Sequence, residues 1–130
     1  MTATSTTSTD LLLRIQDSKR RGVEFLLRHI GEDGSVADAS GGRVTWYRIP
    51  WAFAVAGETA AAFAVLDWIE RTGFGEGGNF HGGMAWDSAG NQTTNTYPET
   101  VLAYGAVLLR RLDIARKAMD FSQQFQNPDT

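Results

Sequence analysis

Apolar positions recur at helical spacing over most of the chain, and the gaps between them are polar or rich in glycine. Ile15, Lys19 through its aliphatic stem, Val23, Leu26 and Ile30 follow the rhythm of one helical face. Asp10 is placed to cap that helix, Gly22 is a candidate bend, and Gly31-Glu32-Asp33-Gly34 marks the end. Residues 31–45 read as loop. From Thr45 to Ala56 the chain is apolar and aromatic, with Pro50 suited to a first helical turn, where its missing N–H would have no partner anyway. Gly57 is a stop, and the Ala-rich stretch from Glu58 to Arg71 follows as a strong helix former. Together these two segments predict an αα-hairpin turning at Gly57.

Residues 72–95 form a long glycine-rich connection. Thr96-Tyr97-Pro98-Glu99 has the form of a capping box, with Thr96 at the cap and Glu99 three residues on. The helix it opens runs to about Arg110. A tight turn near Arg111-Leu112 then leads to a last helix, from Asp113 to about Gln126. No segment alternates with a period of two, so the expected fold class is all-α: one helix, then two hairpins. Residues 1–9 read as a disordered tail and 10–130 as the helical domain.

A short pattern, an acid followed by an aromatic within an apolar helix, occurs three times. It is Val23-Glu24-Phe25, Leu66-Asp67-Trp68 and Met119-Asp120-Phe121, with the acids 43 and 53 residues apart. Repeats of this length predict stacked helical hairpins, in which no unit buries its own apolar face alone. The acids precede turns on the outer helices and are expected to be solvated or paired with Arg and Lys, not catalytic.

Composition narrows the chemistry. A net charge of −3 with no Lys/Arg stripe leaves no electrostatic footprint for nucleic acid. The chain has no cysteine, so disulfides, thiolate catalysis and Cys-ligated zinc are excluded. Its two histidines, His29 and His81, give little to a metal site, and neither a metal nor another cofactor is expected. No apolar run approaches the ~20 residues of a membrane span. Met1–Thr9 lacks a signal peptide's charged start and apolar core, which makes the cytoplasm the expected location. Gly73-Phe74-Gly75-Glu76-Gly77-Gly78 matches G-x-G-x-x-G in form. It follows a helix and not a strand, so it fails the context a dinucleotide site needs.

Short turns within hairpins and long loops between them are the layout of an α/α toroid. The stretches Phe25–Ser35 and Phe121–Asp129, apolar helix followed by a polar or glycine turn, resemble the repeats of the terpenoid cyclase and protein prenyltransferase toroids. That resemblance implies part of an α/α toroid with an aromatic-lined apolar cavity and an isoprenoid-type small-molecule substrate. The chain lacks the family's Asp-x-Asp-Asp acid motif, its aspartate-rich diphosphate motif and a zinc-binding Cys. A closed six-hairpin toroid takes on the order of 300 residues, so the expectation is a fragment or N-terminal portion of a longer enzyme. A similar toroid carries glycoside hydrolases, lyases and sugar epimerases, and Gly82–Asp87 with Tyr97-Pro98-Glu99 suits that sugar chemistry as well. Fold alone does not choose between them.

If Pro50 and Pro98 start inner helices, the site rim is Trp46–Trp51 and His81–Glu99. Trp46, Tyr47, Trp51, Trp86 and Tyr97 are then candidates to stack on a sugar or face a carbocation. Asp87 and Glu99 are the candidate carboxylate pair, since a glycosidase needs two ~5–10 Å apart, and His81 is the candidate acid or base near neutral pH. Each has a structural alternative: the aromatics as core, Glu99 as a cap, Asp87 as a turn former, His81 as a solvated loop residue. His29, close to a helix C-terminus, is accounted for by the helix dipole. Three functions follow: a cyclase-like toroid enzyme, a carbohydrate-active toroid using Asp87 and Glu99, or a non-enzymatic helical module that binds a partner or forms a homo-oligomer.

Overall fold

The computed structural model describes residues 3–37, 46–74 and 97–123. Among these residues the fold is all-α, with five helices: α1 (Ala3–Leu27), α2 (Ile49–Ala56), α3 (Thr59–Thr72), α4 (Tyr97–Leu108) and α5 (Leu112–Gln123). A single 3-10 turn, Trp46–Arg48, leads into α2. The one extended contact among them is an isolated antiparallel bridge between Ile30 and Val36. No helix of the described residues is long and apolar enough to cross a membrane.

α1 begins at Ala3, seven residues ahead of the start expected at Asp10. The Thr/Ser segment holds neither Pro nor Gly. Once Asp10–Leu27 is helical, each further residue adds one hydrogen bond without a new nucleation cost. The helix then ends at Leu27, and His29 Nδ1 lies 2.8 Å from the carbonyl oxygen of Phe25, one turn back. The chain folds back through Gly31–Gly34, closed by the Gly34 N–H on the Gly31 carbonyl and the Gly31 N–H on the Ser35 carbonyl. Gly34 has φ +82°, and a Cβ there would lie 1.9 Å from the Ala64 carbonyl oxygen of α3. This loop therefore rests directly on helix backbone, and the Arg71 guanidinium fastens it by donating to the Asp33 carbonyl.

The two hairpins are α2–α3 and α4–α5. Both turn through the same Schellman geometry. After α2, Gly57 takes φ +88°, its N–H donates to Ala54, and the Glu58 N–H donates to Phe53. After α4, Arg110 takes φ +58°, its N–H donates to Val107, and the Arg111 N–H donates to Ala106. Gly57 and Arg110 stand 53 residues apart, the spacing of Asp67 and Asp120. α2 and α4 run side by side in the same direction: Tyr47 meets Tyr97 at one end, Trp51 meets Tyr104 midway, and Ala54 and Leu109 share a groove at the other.

The core lies between the two hairpins. α3 contributes Ala62, Val65, Leu66 and Ile69, one stripe at i, i+3, i+4 and i+7. α5 contributes only Ile114, Ala115 and Ala118, and its outer side is mostly charged, with Leu112 and Met119 also exposed. Phe53 of α2 and Leu102 of α4 complete the centre, both fully buried. Each such side chain contributes ~1.5–3 kcal/mol of burial. α1 joins this core only through its last turns: Val23 and Leu26, with Ile30 beyond the helix end, pack against it, whereas every side chain from Thr7 to Gly22 is exposed.

Arg111 ties the hairpins together electrostatically. Its guanidinium donates to Asp67 and, at 2.7 Å, to Glu70 on α3, and at 2.9 Å to Asp113 at the start of α5. The repeated acid Asp67 is thus a structural partner, and Glu24 pairs with Arg20 at 2.8 Å along α1. The hydrogen bond from Arg111 holds the Asp113 carboxyl below the usual carboxylate range.

Two outcomes follow from these turns and pairs. Arg110→Gly relieves a left-handed residue carrying a Cβ, and is expected to raise stability by about 1 kcal/mol, read as a shift in denaturant midpoint. Arg111→Met is expected to lower stability by about 1 kcal/mol at low salt, and by less as added salt screens the pairs. Asp113, depressed in the folded state, stabilises above its unfolded pKa near ~3.9, and that contribution fades as pH falls through the lower folded value. Wild-type stability should therefore decline more steeply than that of Arg111→Met on the acid side, in a series of denaturation curves against pH.

Candidate functional site

The described site candidates gather at the start of α2 and α4. Trp46 and Tyr47 are in the core, 3% and 6% exposed, and Trp46 packs edge-on against Trp68 with ring centroids 6.0 Å apart. Tyr47 meets Tyr97 edge-on at 6.1 Å. Between them sits Arg48, its guanidinium carbon 5.4 Å from the Tyr47 ring centre and 5.5 Å from that of Tyr97. Arg48 also donates to the Tyr97 hydroxyl at 3.2 Å. Two tyrosines and an arginine thus lock the α2 start to the α4 start.

Trp51 points outward and packs edge-on against Tyr104 of α4, at 5.9 Å. The helices approach closely here because residue 105 is glycine. A Cβ on Gly105 would lie 3.0 Å from the Trp51 backbone nitrogen. With the backbones this near, Trp51 and Tyr104 cannot both turn inward, and they are 41% and 55% exposed.

The outward residues of α4 are Tyr97, Thr100, Tyr104, Val107 and Leu108, a stripe at i, i+3, i+7, i+10 and i+11. All but Thr100 are large and apolar in body. α2 adds Trp51 and Val55, the latter 64% exposed. A helix that is apolar all round belongs in an interior, yet α4 has its second apolar face in solvent. Beside this face opens a groove of about 400 Å³, lined by Ala54, Val55, Thr59, Phe63, Leu108 and Arg110 among others. Arg48 stands at one end of the face, and Arg110 and Glu58 are exposed at the other.

Glu99, in the first turn of α4, is wholly buried, a carboxyl at the positive end of a helix dipole. Its expected cap partner Thr96 lies outside the described residues, as do Asp87, His81 and Trp86. The structure therefore assembles Tyr47, Arg48, Trp51 and Tyr97 near one another, and of the carboxylate pair it describes Glu99.

This geometry corrects the leading functional expectation. The aromatic-lined apolar cavity of a cyclase-like enzyme is not what these residues build. Trp46 and Tyr47 fill core, Trp51 and Tyr97 lie on an outer surface, and the adjoining groove contains none of the four. No cluster of His, Asp and Glu among the described residues could hold a metal. Tyr104, Val107 and Val55 are not among the sequence candidates. Their signal was available: α4 is apolar on every side, and only one side can face its own core.

Compared with known proteins, the chain matches no family model, no curated protein and no solved structure.

Glu99 separates a filling role from a cap. Glu99→Gln keeps the volume and one carbonyl acceptor and is expected to hold stability within about 1 kcal/mol, whereas Glu99→Ala leaves a hole and is expected to cost about 2–3 kcal/mol. Thermal unfolding of both variants checks this.

Proposed function

We propose that this chain is a non-enzymatic helical-hairpin module, whose α2–α4 face docks an apolar partner surface, most simply an amphipathic helix. The observation that supports this is the outward stripe of α4, Tyr97-Tyr104-Val107-Leu108, carried beside Trp51 and Val55 of α2. Contiguous apolar patches of this size on a single domain mark interaction sites. Two parallel helices with a shallow groove beside them suit helix-in-groove recognition, where anchors spaced three and four apart fill a trough. Tyr and Trp supply large contact area with few rotatable bonds to freeze. The matching turns 53 residues apart further support reading the two hairpins as repeats of one unit, stacked as in αα-repeat proteins, whose inner helices form the binding surface.

Titration with a model amphipathic Leu/Ala-rich helix tests the reading through Trp51. Docking should move tryptophan emission to shorter wavelength and saturate. Val55→Asp, which puts a charge in the apolar face under the bound helix, should weaken binding at least about tenfold, equivalent to ~1.4 kcal/mol. A wild-type spectrum that the peptide leaves unchanged would sink the proposal.

A further inference from the structure

The chain carries a second exposed apolar surface besides the α2–α4 face. α1 is docked only by its last turns, and from Thr7 to Ser18 it projects past the body with Leu11, Leu12 and Ile15 all more than half exposed. Leu12 and Ile15 continue the line of Val23 and Leu26, the residues that hold the other end of the helix to the core. Within Thr7–Ser18 the charges lie on the opposite side, and Lys19 follows on the apolar line itself, covering it with its stem. Asp10, Arg14, Asp17, Arg21, Glu24 and Arg28 alternate in sign at spacings of four and three, and several pair with one another or with Arg20 along the helix. The projecting half of α1 therefore has one uncharged face, and Leu13, also exposed, lies on its charged side.

Resting on the docking role proposed for the α2–α4 face, we infer that its occupant is the projecting half of α1 from a second copy of this chain, exchanged reciprocally in a two-fold dimer. Three observations converge. The charges are compatible: Arg48 stands at one end of the face, Arg110 with Glu58 at the other, and Thr7–Ser18 carries Asp10 and Asp17 against Arg14. The chemistry agrees, because both surfaces are apolar at the centre with no exposed charge between the ends. The area also agrees. Nine side chains, three on α1 and six on the face, are each about half exposed. At on the order of 80 Å² apiece they offer about 700 Å² per protomer, close to the ~800 Å² that each partner gives to a standard interface. Reciprocal exchange satisfies both surfaces of both copies and closes the assembly at two, whereas one-way docking would leave a free end and grow a filament.

The absence of native cysteine makes the contact directly readable. Single variants Ile15→Cys and Tyr104→Cys, both at exposed positions, are mixed and oxidised, and the mass in solution is measured by sedimentation. The expected result is a dimer, a disulfide between an Ile15→Cys copy and a Tyr104→Cys copy, and little disulfide within either variant alone. Ile15→Glu and Tyr104→Glu should each raise the dimer dissociation constant more than tenfold, with helical circular dichroism unchanged. A monomer at all concentrations overturns the inference, as does an efficient disulfide between two Ile15→Cys copies, which means that α1 pairs with α1. Loss of the dimer in Tyr104→Glu but not in Ile15→Glu also overturns it, while leaving the α2–α4 face as a docking surface for something else. Binding of the model helix by a strictly monomeric chain would likewise keep that wider reading and reject the exchange.

Discussion

The left-handed residue after α2 and again after α4 sets the course of the chain. A Schellman turn returns the next helix antiparallel after two residues, so α3 and α5 must lie back along α2 and α4. Because both hairpins turn the same way, the two first helices come to lie parallel and adjacent, and the two second helices lie behind them with Arg111 bridging their charges. Burial then follows. α3 and α5 need one apolar stripe each and have one each. α4 lies in front, touches α2 on its flank and α5 behind, and still has an apolar side left over.

The same arrangement explains why the aromatic residues split into two groups. Those that precede the helices, Trp46 and Tyr47, can reach back over the core and pack on Trp68 and Tyr97. Those within the helices, Trp51 and Tyr104, stand above a crossing made tight by Gly105 and have only each other and solvent. Arg48 ties Tyr47 of the first group to Tyr97 at the start of α4. Its planar guanidinium shares two tyrosine rings and the Tyr97 hydroxyl, an arrangement a lysine could not reproduce.

Much of the fold was legible in the sequence. Gly57 as a stop, Pro50 in a first turn and the all-α class agree with the structure, because each rests on local backbone chemistry. The start of α1 was misplaced, since a Thr/Ser run has no sharp helix signal and extension depends on what it extends. The turn at Arg110 was placed a residue or two late, because an arginine gives no sign of a left-handed conformation that tertiary contacts impose. The site was less legible. Aromatic content pointed to a cavity, but inward or outward direction is fixed by the helix crossing at Gly105, a contact between residues 54 positions apart that no local pattern encodes.

α1 is also a mechanical element. The helix is gripped at one end and rises about 24 Å from Ala3 to the edge of its grip near Lys19. It therefore works as a lever whose fulcrum is Val23 and Leu26. A tilt of ~10° about that fulcrum swings the tip by about 4 Å, most of a helical turn. Small adjustments in how those two side chains seat on the core thus set where the far end of the arm can reach.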